Sequence, residues 1–201
     1  MLVLKSLDEN EAERAEALQE ALRTNEQSWD HVVDFELKSH CNKRFMLMPK
    51  FEATLEQMPW LCESDSMMLW SHVSSGLRCL HNLGFSHADV KSANVGLRNS
   101  TFFLIDLGSV SRFGNVTSCT NAYVPRDFFG NQPARASAAL DWWMLGLTLA
   151  EKCCRNQAEC LQLGRSAHSP TKKNLLKYLQ LHLPTTLWEA FSAVIEADIF
   201  L

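Results

Sequence analysis

The stretch "HADVKSANVGL", residues 87–97, places an imidazole (His87), a carboxylate (Asp89), an ammonium (Lys91) and an amide (Asn94) within eight residues. A second acid, Asp106, ends the apolar run "TFFLID", with Gly108 two residues on. These groups suit phosphoryl transfer. That reaction needs little covalent help but requires a divalent cation held against the phosphates, an acidic group at the incoming hydroxyl and a cation on the transferred group. Asp89, Lys91, Asn94 and Asp106 supply that set, and the Asn94 amide and Asp106 carboxylate are the oxygen ligands that Mg2+ takes. The alternative is a polar loop that happens to be rich in such residues.

Several elements must position these groups. "MLVLKSL" alternates and reads as a strand. Residues 8–24 are dense in Ala, Glu, Leu and Arg and read as a helix. Asp8 is placed to cap it, and Glu11 stands in capping-box position. "HVVDFEL" (31–37) and "RFMLMPKF" (44–51) read as a strand pair, with Pro49 ending the second. Ser64 or Ser66 is placed to cap a helix running to Asn82, with Leu69, Val73, Leu77 and Leu80 on its apolar face and Gly84 as its stop. "NVGL" and "TFFLIDL" read as two short strands joined by "RNS". Residues 108–139 are mostly loop, 139–154 form a helix apolar nearly all round, and further helices follow. The expected architecture is α+β: a small sheet-containing part, then a mainly helical part, with the connector near Pro49 to Leu55.

The whole chain sets wider bounds. Its 201 residues fit one large domain or two small lobes, and its net charge of −4 offers no broad basic surface for nucleic acid. No apolar run approaches the ~20 residues of a membrane span, and the acidic N-terminus does not read as a secretory signal. The seven cysteines show no metal-ligand spacing and are expected to be reduced thiols, most of them in the core. A cytoplasmic or nuclear protein is the expectation.

"HADVKSAN" resembles the catalytic loop of protein kinases, H-R-D-x-K-x-x-N, and "DLG" resembles their D-F-G motif. Six specified residues at ~5% each match by chance about once in 10⁸ starts. "MLVLK" is similar to the kinase strand whose lysine holds the α- and β-phosphates, which makes Lys5 that residue. The following helix should offer its glutamate partner; Glu20 fits best by distance, with Glu16 next. "MPKFEATLEQM" resembles the hinge where backbone groups meet adenine, with Met48 to Phe51 as candidates. "TNAYVPRDF" resembles the segment closing the activation loop, matched at Thr120, Tyr123 and Pro125. "ALDWWMLGLTLAE" resembles the buried helix of the helical lobe, where Asp141 would brace the catalytic loop and Trp142 and Trp143 are core. The resemblance covers residues 1 to about 151. It implies one kinase-like domain over 1–201, with a partial N-lobe (1–50) and a C-lobe (51–201).

Four departures matter. Ala88 stands in place of the arginine that pairs with a phosphorylated activation loop, so control by that route is not expected. Leu107 replaces phenylalanine, and Arg126 stands where a glutamate is expected. The chain begins at the lysine strand and contains no G-x-G-x-x-G, so it reads as truncated before the Gly-rich loop, with an unprotected sheet edge. Lys91 points to the serine/threonine type. The resemblance implies ATP- and Mg2+-dependent phosphorylation of a protein substrate: Asp89 and Lys91 act in transfer, Lys5, Glu20, Met48, Asn94 and Asp106 bind nucleotide, and Asn94 and Asp106 hold metal. The alternatives are a pseudokinase or binding module, and a small-molecule phosphotransferase of the aminoglycoside- or choline-kinase kind. The chain is also similar to the divergent kinases of large DNA viruses, herpesviruses among them.

Overall fold

The computed structural model describes residues 1–24, 30–130, 132–153 and 170–199. Strand β1 (Leu2–Leu7) leads into helix α1 (Glu9–Thr24) through the single residue Asp8. The capping box forms as the sequence predicts: the Glu11 N–H donates to Asp8 Oδ1 at 2.8 Å, and the Asp8 N–H donates to Glu11 Oε2 at 3.1 Å. Strands β2 (Glu36–His40) and β3 (Lys43–Pro49) complete an antiparallel sheet of order β1–β3–β2.

The hairpin differs from the expected pairing. Cys41 and Asn42 take φ values of 47° and 59°, as a two-residue turn of the primed type requires. That turn draws the polar residues "ELKSH" into β2 and frees the apolar "VVDF" for another task. Val32, Val33 and Phe35 are buried, and Val33 donates its N–H to the Leu104 carbonyl at 2.9 Å. The apolar run therefore docks on the second part of the molecule.

That part contains β4 (Ala53–Thr54), α2 (Glu63–Asn82), β5 (Phe85–Ser86), β6 (Val95–Arg98), β7 (Thr101–Leu104), β8 (Ser111–Arg112) and the helices α3 (Ala138–Cys153), α4 (Lys172–His182) and α5 (Thr185–Ile199). The N-cap of α2 is Cys62, not Ser64 or Ser66. Ser66 instead lies inside the first turn and donates its hydroxyl to the Cys62 carbonyl at 2.8 Å. Gly84, at φ +76°, takes the left-handed conformation that ends α2. Leu69, Val73, Leu77 and Leu80 are fully buried, in a helix that packs on β7 and on α3, itself buried on nearly every side. Burial of Trp142 and Trp143 contributes roughly 5 kcal/mol of transfer free energy each. Of the five described cysteines, none in a disulfide, only Cys79 is buried, while Cys41 and Cys62 are exposed. The expectation of mostly core cysteines therefore fails for those two: Cys41 sits in the hairpin turn and Cys62 at a helix start. Among the described residues no helix is long and apolar enough to cross a membrane.

The outer edge of β7 is closed by side chains. The Phe102 N–H donates to His72 Nδ1 at 3.2 Å, and His31 Nδ1 lies 3.1 Å from the Phe102 carbonyl. The two imidazoles stack at 4.2 Å. A carbonyl only accepts, so His31 Nδ1 carries a proton; His72 Nδ1 accepts and carries none. Burial, reinforced by His31, holds His72 below its ordinary value. The unfolded chain then binds the extra proton more readily, so stability falls as pH drops below about 6.5. The thermal midpoint is expected to be lower at pH 5.5 than at pH 7.5. His72→Asn, whose Oδ1 keeps an acceptor that does not titrate, narrows that gap; equal gaps in both proteins would contradict it.

Candidate active site

Directly opposed residues of antiparallel strands share a face. Lys5 opposes Met46 and Val3 opposes Met48, so Lys5, Met46 and Met48 lie on one face of the sheet, both methionines buried. The Lys5 ammonium donates to Glu11 Oε1 at 2.9 Å and to Asp106 Oδ1 at 2.6 Å. Residues 101 positions apart in the chain thus meet in one ion-pair cluster.

The predicted partner Glu20 does not reach Lys5. With only Asp8 between strand and helix, the first turn of α1 stands beside the lysine. Glu20 lies nine residues further on, about 14 Å along the axis, with its side chain 70% exposed and 3.9 Å from Arg23. Glu16, the second choice, pairs with Arg44. Glu11 fills both roles, one carboxylate oxygen capping the helix and the other holding Lys5.

Asp106 follows β7 at φ +58°, in the left-handed region, which costs a non-glycine residue on the order of 1 kcal/mol. Its carboxylate caps the short turn Leu107–Ser109 by accepting the Gly108 N–H at 3.3 Å. Arg14, one turn after Glu11 on α1, donates from Nη1 to the Gly108 carbonyl at 2.8 Å. A Cβ on residue 108 would collide with the Glu11 carboxylate and stand 3.1 Å from Lys5 Nζ, so a side chain there would have to displace the ends of this ion pair. Burial alone would raise the Asp106 carboxyl, but Lys5 and the Gly108 N–H outweigh it and hold the carboxyl below its ordinary value. Burial would likewise lower the Lys5 ammonium, and its two carboxylate partners hold it above its ordinary value.

The loop 87–94 is suspended from α3. Asp141, fully buried, accepts the N–H groups of His87 (2.9 Å) and Ala88 (2.8 Å), the Ser86 hydroxyl (3.0 Å) and His81 Nε2 (2.8 Å). Ala88 is buried at φ +63°, a conformation these bonds hold in place. His87 donates from Nε2 to the Ile105 carbonyl at 3.0 Å, and the Ile105 N–H donates to the Asn94 carbonyl at 2.9 Å. The loop is therefore tied to the residue preceding Asp106.

Within the loop, Lys91 Nζ donates to Asp89 Oδ2 at 2.7 Å and to the Thr120 hydroxyl at 2.8 Å. That hydroxyl in turn donates to Asp89 Oδ1 at 2.6 Å. Asn94 Nδ2 donates to the Asp89 carbonyl and to Asp89 Oδ2, both at 2.9 Å. Both amide hydrogens are thus used, and Oδ1 remains as the atom a hard cation takes. Glu151 on α3 accepts from the Tyr123 hydroxyl at 2.6 Å and from Ser92 at 3.1 Å. Burial, then Glu151, raises the Tyr123 phenol well above its ordinary value, so it stays a donor.

Asp89, Lys91, Asn94 and Thr120 thus form one cluster, and Lys5 and Asp106 another, joined through His87 and Ile105. Met48 lies on the Lys5 face of the sheet. Sequence reasoning missed Glu11 as the lysine partner, and Arg14, His81 and Ser86 altogether. Glu11's capping-box position directly after a strand was the available signal; the other three carried none. Among the described residues no group of three or more His, Cys, Asp and Glu side chains could hold a metal ion alone. Asp106 and Asn94 fit Mg2+ in its usual protein setting, where one or two side-chain oxygens share the ion with phosphates and water.

Comparison with known proteins gives a consistent picture. The sequence matches the protein kinase domain family over residues 2–194. It is 35% identical over 81 residues to the serine/threonine-protein kinase VRK1 of Caenorhabditis elegans (36% of this chain, 13% of the relative). It is 32% identical over 105 residues to mitogen-activated protein kinase kinase kinase 1 of Arabidopsis thaliana (49% and 17%). It is 26% identical over 117 residues to flippase kinase 1 of Saccharomyces cerevisiae (45% and 13%). The matched stretches thus span less than a fifth of each relative's length.

Proposed function

The chain belongs to the protein kinase family, and on that premise we propose that it transfers the γ-phosphate of ATP, with Mg2+, to serine and threonine hydroxyls of a protein substrate. The observation that carries this reading is the Thr120 hydroxyl held between Asp89 and Lys91. A carboxylate and an ammonium already grip an aliphatic hydroxyl, and Asn94 is fixed to the same carboxylate.

In this reading Asp89 orients the acceptor hydroxyl and takes its proton as the bond to phosphorus forms. Lys91 offsets the negative charge that develops on the transferred group. Asn94 and Asp106 would hold Mg2+, which when bound would neutralise phosphate charge. Lys5, oriented by Glu11 rather than Glu20, meets the α- and β-phosphates, and Met48 marks the strand end where adenine docks. The separate ties of both clusters to His87 and Ile105 keep acceptor and nucleotide groups in register, and positioning is most of what this chemistry needs.

One observation favours a second reading. Lys5 already neutralises Asp106 through a direct ion pair, as would suit a binding module that holds no metal. Nucleotide binding separates the two. At ten times Kd, Mg2+–ATP is expected to stabilise the chain by about 1.4 kcal/mol, a rise in Tm of about 3–6 °C, and Lys5→Met is expected to abolish the rise. No shift at millimolar Mg2+–ATP would contradict the kinase reading and favour the binding module.

A further inference from the structure

Arg14 has no part in the phosphate-transfer chemistry, yet it contacts the loop that carries Asp106. Two side chains of α1, three residues apart and so on one face of the helix, lie against residue 108. Glu11 lies where a Cβ would stand, and Arg14 binds the carbonyl at 2.8 Å. The Gly108 N–H is meanwhile the group that the Asp106 carboxylate caps. Asp106 sits in the left-handed region at φ +58°, a conformation that persists only where the surroundings over-determine it. Three contacts do so here: the Lys5 ion pair, the Gly108 cap and the Arg14 hold on the far side of the same residue. The first involves groups that nucleotide phosphates and Mg2+ compete for. Once Lys5 and Asp106 turn to those ligands, the Arg14 bond still ties α1 to the turn.

We propose that Arg14 is a positioning residue, whose guanidinium holds the Gly108 carbonyl so that Asp106 keeps its left-handed conformation when Lys5 is drawn to nucleotide. This rests on the phosphate-transfer reading for its functional consequence, while the structural part stands without it. The guanidinium suits the task because it carries a permanent charge and several donors in a fixed plane.

The test uses the full chain, with Arg14→Met keeping the aliphatic stem and Arg14→Lys keeping a charged donor. In Arg14→Met, amide exchange over residues 107–110 is expected to quicken at least tenfold while exchange in α2 and α3 stays unchanged. The apparent KM for Mg2+–ATP is expected to rise about tenfold with kcat for a protein substrate reduced less, and Arg14→Lys is expected to recover part of both effects. Unchanged exchange over 107–110 in Arg14→Met overturns the proposal, as does a uniform loss of protection across the molecule, which would mark a merely structural role. If wild type transfers no phosphate and is not stabilised by Mg2+–ATP, the kinase reading falls, and the exchange contrast alone decides the role of Arg14.

Discussion

Asp141→Ala is expected to lower folding stability by about 3–5 kcal/mol, the usual cost of removing one partner from a buried charged network. Asp141 is fully buried and accepts four hydrogen bonds, two of them from the consecutive backbone N–H groups of His87 and Ala88. Alanine leaves those donors in a dry interior with no acceptor, at about 1–3 kcal/mol each. It also releases the bonds that hold Ala88 in the left-handed region. For a chain of this length the loss corresponds to a fall in Tm of about 10 °C, read by calorimetry or circular dichroism. Asp141→Asn should fall between wild type and alanine, because its amide keeps one acceptor oxygen but turns a donor toward donors. A loss below 1 kcal/mol for Asp141→Ala would show that the loop does not hang from α3.

The second large effect concerns chemistry rather than folding. Asp89→Asn is expected to lower kcat by about 10²–10⁴-fold, the range for loss of a positioned general base, with the KM for Mg2+–ATP little changed. KM is expected to change less than kcat because Lys5 lies in the other cluster, on Asp106, and asparagine at position 89 keeps its backbone carbonyl and one side-chain oxygen as acceptors for the Asn94 amide. The Asp89 side chain is partly exposed, and asparagine retains one acceptor, so the fold should tolerate the change. Steady-state kinetics at saturating and limiting ATP separates the two parameters. A tenfold rise in KM with kcat intact would place Asp89 at the nucleotide and not at the acceptor.

How much of this was legible in the chain depends on how local each interaction is. Residues 87–94 and Asp106 stood out because phosphoryl transfer would call for those residue types at that short spacing, and the structure gathers them into two joined clusters. The capping box at Asp8 and Glu11 was legible because its bonds join residues three apart, and the helix around Trp142 because an unbroken apolar run marks burial on every side even though its packing partners, such as Trp70, are distant in the chain. Glu11 was passed over as the lysine partner because which turn of a helix faces a strand depends on the link between them, here one residue. The polar connector 38–43 held the turn at Cys41 and Asn42, but the first strand of the hairpin was begun five residues early, at 31 rather than Glu36. The apolar "VVDF" then read as a strand, when its burial is served by docking on β7. Arg14, His81 and Ser86 were illegible because each acts on a partner more than fifty residues away through a single hydrogen bond.

The most direct measurement of the proposed activity is phosphate transfer itself. Incubation with Mg2+, γ-labelled ATP and a generic protein substrate, followed by analysis of the labelled amino acids, is expected to give phosphoserine and phosphothreonine with wild type and a loss of signal with Asp89→Asn. Equal label from wild type and Asp89→Asn, or no label from either, would contradict phosphate transfer by this site.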